Sequence, residues 1–540
     1  MSKLPPGLSS KDFQGAIKQF EAAIGKEWVF TSDEDVALYR DSYSVFLGEP
    51  EEIMASAAVA PDTVEQVQRV MKIANTFKVP MFPISTGKNL GYGGSAPNLS
   101  GSVVLDLKRM NRVLEVDDKR HFALVEPGVS YFDLYRYVQE RGLKVLLDLP
   151  DPGWGSPVGN SLDHGVGYST GEMRDHIGSH CGMEVVLPNG ELIRTGMGAA
   201  PNAKTWQDYR YGAGPYVDGM FSQSNFGVVT KMGFWLNPLP DAYLMGTVTV
   251  PKHQDMIPLV DILNYLENSG ITNGMPQLGS PVYGRQFAPP DPELGAMIAK
   301  PGGATPAELE EYAARKGRGY WSCGLQFYGP EKVIAAQWEY AREKFSSIPG
   351  AKFEEGPSYK FPLTPEQIEK SHKVTVGVPD LSIFAIGARS PFNPNPSHGH
   401  VWFSPIVPRT GQAILDAQRV FTDASRETGL PLLAGPAPLP ATYYKRAFIF
   451  IFGIMVSTDL AVNKKNRDAF RNVIKIAAEK GFVEYRTPPA FQDDVIATYS
   501  FNNHSLLRFH ETIKDAIDPN GILAAGRYGI WPKAMRAKRA

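Results

Sequence analysis

Pro83-Ile84-Ser85-Thr86-Gly87-Lys88-Asn89-Leu90-Gly91-Tyr92-Gly93-Gly94 puts four glycines and two small hydroxyl residues into twelve positions. It follows directly on the apolar run Val79-Pro80-Met81-Phe82-Pro83-Ile84, which reads as a strand. Backbone without Cβ atoms can approach a ligand closely and take positive φ. Successive exposed N–H groups in such a bend form a concavity suited to an anion such as a diphosphate. No Gly-Lys-Ser/Thr closes the stretch, so it is not a Walker loop. It also lacks the Gly-x-Gly-x-x-Gly spacing of a Rossmann dinucleotide turn. By itself it is a tight turn able to hold an anion.

The surrounding chain narrows the class. Its 540 residues have room for two or three domains, each with its own core. The 55 basic and 57 acidic residues leave a formal charge of −2, which offers nucleic acid no basic footprint. The C-terminal run Lys533, Arg536, Lys538, Arg539 is short and reads as a solvated tail. Two cysteines, Cys181 and Cys323, supply neither a disulfide framework nor a four-cysteine metal site. The N-terminus lacks the apolar core of a signal peptide. The longest greasy window, residues 447–456, is too short to span a bilayer as a helix and reads as one buried strand. These features predict a cytoplasmic protein with no membrane partner and no metal.

Along the chain, residues 11–23 form the best early helix, and 57–60 a short apolar strand. Asp62 with Glu65 three residues on is a helix-start signature. Val64, Val67, Val70, Met71 and Ala74 then share one helical face. Strands follow at 102–107 and 122–129, with Ser130 and Asp133 placed to cap the next helix. Asn189-Gly190 turns a hairpin within 184–195. After the breaker cluster at 237–241 the helices lengthen (255–268, 330–345, 411–428, 463–480). Residues 377–400 read as an extended loop. Asp518 to Arg527 returns to glycine turns. The rhythm is α+β.

Seven blocks of this sequence together resemble the vanillyl-alcohol oxidase family. They are the 83–94 loop; Gly159-Asn160-Ser161-Leu162-Asp163-His164-Gly165-Val166-Gly167-Tyr168; residues 181–198; residues 219–231; His400-Val401-Trp402-Phe403-Ser404-Pro405-Ile406; Glu484-Tyr485-Arg486-Thr487; and residues 518–524. They run in order across nearly the whole chain. The resemblance implies a discontinuous FAD-binding domain (1–240 and 490–540) with an inserted α+β cap or substrate domain at 241–489. It implies FAD held by Ser85, Thr86, Gly87, Lys88, Asn89, Leu90, Gly159, Asn160, Gly165, Gly167, Val229 and Arg527.

The resemblance also assigns chemistry. His400 matches a covalent flavin ligand, with His398 its near competitor. Tyr43 or Ser44 stands where a family member has a histidine that activates this ligand. Tyr92, Tyr485 and Arg486 match a phenolate clamp: a permanent cation and two phenolic donors converging on one oxygen. Asp151 matches an acid near flavin N5, with Asp148 the residue to tell it from. Val166, Tyr168 and Trp402 match pocket walls. Residues 436–446 and 168–174 depart from the family's pattern, so the para-substituent end of the pocket is the least legible.

The implied activity is FAD-dependent oxidation of para-substituted phenols. Hydride leaves the benzylic carbon through a para-quinone methide, and oxygen is reduced to hydrogen peroxide. The alternative is a dehydrogenase or hydroxylase of 4-alkylphenols using a cytochrome or other acceptor. A non-catalytic flavin-binding protein would need none of Tyr92, Asp151, Tyr485 and Arg486. A homodimer or higher homo-oligomer is implied as well.

Overall fold

In the computed structural model the described residues are 3–89, 91–282, 291–299, 303–386, 399–430 and 440–536. Leu90, His398, residues 436–439 and the tail residues Lys538 and Arg539 lie outside them, as do residues 387–398 of the expected loop.

The strand before the glycine loop, Met81–Ile84, is at the edge of a four-stranded sheet. It pairs in parallel with Val103–Asp106, which pairs in parallel with Ala57–Val59. Parallel neighbours need a crossover, and the helix Val64–Phe77 supplies it. That helix buries Val64, Val67, Val70, Met71 and Ala74, the five residues of the predicted face. Its cap is Thr63, not Asp62. Thr63 Oγ1 accepts from Gln66 N at 3.2 Å, while Asp62 N donates to Gln66 Oε1 at 2.6 Å. The capping arrangement is thus shifted one residue, with an amide doing the work expected of Glu65.

A second, antiparallel sheet has the order Val113–Asp117, Phe122–Val125, Val228–Trp235, His180–Val186, Leu192–Arg194. The predicted hairpin is its last pair, turning at Gly190 with φ +82°. Ser130 and Asp133 form the expected capping box on Tyr131–Glu140.

The far end of the chain completes the first sheet. Met81 N donates to Ile522 O and Ala524 N to Met81 O, both at 2.7 Å. Ile522, Leu523 and Ala524 are buried in one core with Ala57, Val67, Met81 and Val103. Residues some 440 positions apart thus flank the strand that delivers the glycine loop.

Between these parts lies an antiparallel sheet ordered Gln277–Gly279, Trp321–Gly329, Ala242–Val250, Lys352–Lys360, backed by helices Met256–Asn268 and Glu331–Phe345. Helices Gly411–Thr428 and Leu460–Glu479 pack on two smaller β-ribbons. All of this shares a large aromatic core that includes Trp321, Trp338, Phe403, Phe421 and Phe448. Phe491 and Val495 join that core too, so the two regions interlock near residue 490.

The greasy window 447–456 is two strands rather than one. Ala447–Phe450 pairs with Ile406–Pro408, and Phe452–Val456 pairs with Gly399–Phe403. The two ladders break at Ser404-Pro405 and at Ile451, where Pro405 has no N–H to continue the pairing. Pro405 O instead accepts from Phe450 N at 3.0 Å. Ile451, at the break, lines a cavity. Among the described residues no helix is long and apolar enough to cross a membrane.

Candidate active site

The cavity, of about 460 Å³, lies between the two sheets of the N-terminal half and the ribbon that carries residues 399–403. Its floor is the glycine loop. Gly87 and Gly91 have φ of +66° and +70°. A Cβ on Gly91 would lie 2.6 Å from the Trp402 ring, and Trp402 N donates to Gly91 O. Gly91 is therefore required both by its backbone conformation and by the close approach of the ribbon.

The second loop leaves the helix Pro157–Leu162. A Cβ on Gly159 would meet Ser85 Oγ at 2.2 Å, so the two loops close on each other. Gly165 is packed under Asn160, and Gly167 lies against Asp148 and His176. Those last two form a buried pair, with His176 Nε2 2.8 Å from Asp148 Oδ2. Asn160 Nδ2 donates to His176 Nδ1 at 2.7 Å, which puts the imidazole proton on Nε2, facing the carboxylate. Asp148 also takes both the N–H and the Oγ–H of Ser169.

Asp148 is thereby committed to holding the loop, while Asp151 opens onto the cavity. Asp151 Oδ2 accepts from Tyr168 Oη at 2.6 Å, and Tyr168 Oη accepts in turn from Tyr443 Oη at 2.7 Å. Loss of hydration raises the Asp151 pKa, opposed by the Tyr168 hydrogen bond and by nearby His372.

Tyr92, Tyr485 and Arg486 converge on the same cavity. The Arg486 guanidinium lies over the Tyr92 ring, 4.0 Å from its centroid. Arg486 Nε donates to Asp163 Oδ2 at 3.0 Å and Nη2 to Asn89 Oδ1 at 2.7 Å. Burial opposes its charge, yet the Asp163 carboxylate works against that, and the pKa stands above the ordinary value. Burial likewise raises the pKa of Tyr92 and of Tyr485, so both phenols stay protonated and able to donate. Tyr92 Oη is 2.5 Å from Ser404 Oγ. Ser404 N in turn donates to Glu484 Oε1 at 3.2 Å. Burial raises the Glu484 carboxyl well above the usual carboxylate range, opposed by the hydrogen bonds from Ser404 N and Thr487.

Of the residues singled out from the sequence, Ser85, Thr86, Gly87, Lys88, Asn89, Tyr92, Asp151, Gly159, Asn160, Val166, Tyr168, Val229, Trp402, Tyr485, Arg486 and Arg527 line this one cavity. Gly165 and Gly167 stand behind the wall as spacers. His400, 1% exposed, is one layer back, with its ring 4.6 Å from Trp402 and 5.1 Å from Tyr43. Asp163, Ser404, Tyr443, Glu484 and Tyr528 also stand at or behind this site, and none of them is marked by a pattern of its own in the sequence. Asp163, Ser404 and Glu484 sit inside the matched blocks, and only their companions in space mark them out.

A flavin nucleotide fits what is here. Two glycine-bearing loops meet where a Cβ on Gly159 would strike Ser85, both line the cavity, and Lys88 and Arg527 on the same lining would be the cations available to a diphosphate.

A family model described as an FAD binding domain matches residues 55–196. The flavoprotein subunit of 4-cresol dehydrogenase (hydroxylating) from Pseudomonas putida is 32% identical over 98% of this chain and 97% of its own. Among solved structures, the 4-ethylphenol oxidase from Gulosibacter chungangensis, in an isoeugenol complex, superposes with a TM-score of 0.84. It is 34% identical, covering 99% of this chain and all of that one. Substrate-bound p-cresol methylhydroxylase gives the same score at 31% identity, covering 98% and 99% of the two chains. Likeness of this extent, together with an FAD-binding segment that contains the glycine loop, makes the chain an FAD-dependent oxidoreductase that belongs to the vanillyl-alcohol oxidase family.

Proposed function

We propose that this protein oxidises para-substituted phenols, 4-alkylphenols and 4-hydroxybenzyl alcohols foremost, with oxygen as the final acceptor. The observation that carries the reading is the convergence of Tyr92, Tyr485 and Arg486 on a cavity that Asp151 also lines. FAD, when bound, supplies the acceptor for the hydride that leaves the benzylic carbon. Arg486 holds a phenolate oxygen by charge, and Tyr485 and Tyr92 donate to it, which lowers the pKa of the bound phenol. Asp151 accepts a proton from water or from a benzylic hydroxyl. Trp402, Val166 and Tyr168 exclude bulk water. Ser85 to Asn89, Gly159, Asn160, Val229 and Arg527 hold the cofactor, with His400 its covalent ligand behind Trp402. The FAD-binding domain is taken as 1–240 with 490–540, and the substrate domain as 241–489.

Two similar proteins are named for phenols of this kind, one as an oxidase and one as the flavoprotein subunit of a dehydrogenase. The second name supports a second reading of the acceptor alone: electrons leave to a cytochrome or other carrier. One experiment separates these. The FAD-loaded protein is mixed under air with 4-methylphenol, 4-ethylphenol, 4-allyl-2-methoxyphenol and 4-hydroxybenzyl alcohol, and peroxide is measured against product. One peroxide is expected for each two-electron oxidation, so one for 4-hydroxybenzyl alcohol taken to the aldehyde and two for 4-methylphenol taken as far. Turnover only with an added dye would assign the dehydrogenase. Flavin bands that no phenol bleaches would overturn the proposal. In the same assay Arg486→Ala is expected to lose roughly 100-fold in kcat/KM, corresponding to about 3 kcal/mol for a lost charged hydrogen bond.

A further inference from the structure

One carboxylate in this cavity has no part in the proposed reaction. Asp163, at the C-terminal end of the Pro157–Leu162 helix, is 5% exposed. Its Oδ2 accepts from Asn89 Nδ2 at 2.6 Å and from Arg486 Nε at 3.0 Å. Its Oδ1 accepts from Arg527 Nη2 at 2.5 Å and from Tyr528 Oη at 3.1 Å. Asn89 closes a ring by accepting from Arg486 Nη2. The four donors come from three separate pieces of chain: the glycine loop, the clamp and the C-terminal return.

Two guanidiniums and one carboxylate leave this buried set with one net positive charge. Burial would raise the Asp163 pKa, but Arg527 and Arg486 outweigh it and keep the group ionised. Every neighbour is a donor, so an amide in this place would point its own N–H groups at other donors. The surplus positive charge lies where a phenolate can meet Arg486.

We infer that Asp163 is a positioning residue that aims Arg486 at the phenol oxygen and, through the same carboxylate, holds Arg527 and Asn89 for the cofactor. This rests on the phenol reading above. Asp163 touches no reacting atom. It fixes the direction of the cation that does, and it ties substrate recognition to the integrity of the cofactor cradle.

Charge and position predict opposite outcomes when Asp163 is neutralised. If the carboxylate merely offset positive charge, Asp163→Asn would strengthen phenolate binding, since two arginines would face the phenol uncompensated. If it positions Arg486, the same variant weakens it. The probe is 4-hydroxyacetophenone, which has no benzylic hydrogen to lose and whose phenolate absorbs in the near ultraviolet. Its ionisation is titrated on the holoenzyme, and the flavin-to-protein ratio is read from the same samples.

Wild type is expected to bind the probe as phenolate at pH values where the free probe is neutral. Asp163→Asn is expected to bind at least tenfold less phenolate at fixed pH and to carry less flavin. Tyr528→Phe removes one donor from Asp163 and leaves the hydrogen bonds of Arg486 to Asp163 and Asn89 in place, which keeps the test open should Asp163→Asn fail to fold. It is expected to cost about threefold in the same direction. Unchanged or tighter phenolate binding in either variant overturns the inference and leaves the phenol reading standing. A wild-type holoenzyme that binds the probe only as the neutral phenol overturns both.

Discussion

Asp151 is subject to two opposing forces. Loss of hydration favours its neutral form, while the Tyr168 hydroxyl, itself receiving a hydrogen bond from Tyr443, favours the carboxylate. A base must be ionised to accept a proton, so activity falls as pH drops through its pKa. Removing a donor to the charged form raises that pKa. Tyr168→Phe should therefore move the acid limb of the kcat/KM profile to higher pH, by about one unit, and leave the alkaline limb in place. A limb that does not move would assign it to another group. His400 makes a sharper claim. In His400→Ala the flavin should leave with the supernatant on acid precipitation, whereas wild type should keep its colour; flavin retained by the variant would move the tether elsewhere. Some of this neighbourhood could be read from the residues in order, because Tyr485 and Arg486 are adjacent and Tyr92 interrupts a run of glycines. Asp163 could not. Its partners Arg486 and Arg527 are 323 and 364 positions further on, and nothing local announces that they fold back to it. Tyr443 falls in a stretch that matches no family pattern, so its bond to Tyr168 was invisible as well.

At the scale of elements, periodicity and turn chemistry carried most of the information. The Val64–Phe77 face, the Gly190 hairpin and the Gly411–Thr428 helix are local patterns, and each element is where its pattern puts it. The single strand expected at 447–456 fails for a reason found 46 residues before Ile451, since the break there faces a partner strand interrupted by Pro405. Glycine spacing in the second loop is another case where the need lies outside the element. A Cβ on Gly167 would lie 1.7 Å from Asp148 Oδ2 and 2.8 Å from His176 Nε2. Gly167→Ala must then separate the Asp148–His176 pair or displace Val166 and Tyr168, which line the cavity on either side of it. Overpacking plus a lost buried hydrogen bond amounts to roughly 2–5 kcal/mol. Thermal unfolding should come at lower temperature, and the probe phenol should bind more weakly. Normal stability with normal phenol binding would show that the loop has slack the packing denies.

For the whole molecule, the decisive feature is that the chain's end returns to the strand that starts the glycine loop, and a single buried lysine fastens it. Lys514, fully buried, donates to Asp518 Oδ2 at 2.6 Å, Asn225 O at 2.9 Å and Leu523 O at 2.6 Å. It thereby ties the last long helix to the 219–231 block and to the segment hydrogen-bonded to Met81. Burial lowers its pKa, and Asp518 counters. Three to five residues beyond Leu523 and Ala524 come Arg527 and Tyr528, both on Asp163. Lys514→Met keeps the length and apolar stem of the side chain but leaves two carbonyls and a carboxylate without their cation. Asp518 retains the N–H groups of Ile522 and Leu523, which softens the loss. Breaking a buried pair from one side still costs about 3–5 kcal/mol. If the return is the support of the cradle, the loss will be felt at both places. The midpoint of thermal unfolding should fall, and flavin should be released, or exposed to solvent if tethered, at a temperature below global unfolding, because the 518–530 segment detaches first. Flavin fluorescence and circular dichroism followed on one sample measure the two events. Coincident transitions in the variant would mean that the return and the rest of the fold melt as one unit, and that the cradle does not depend on this lysine in particular.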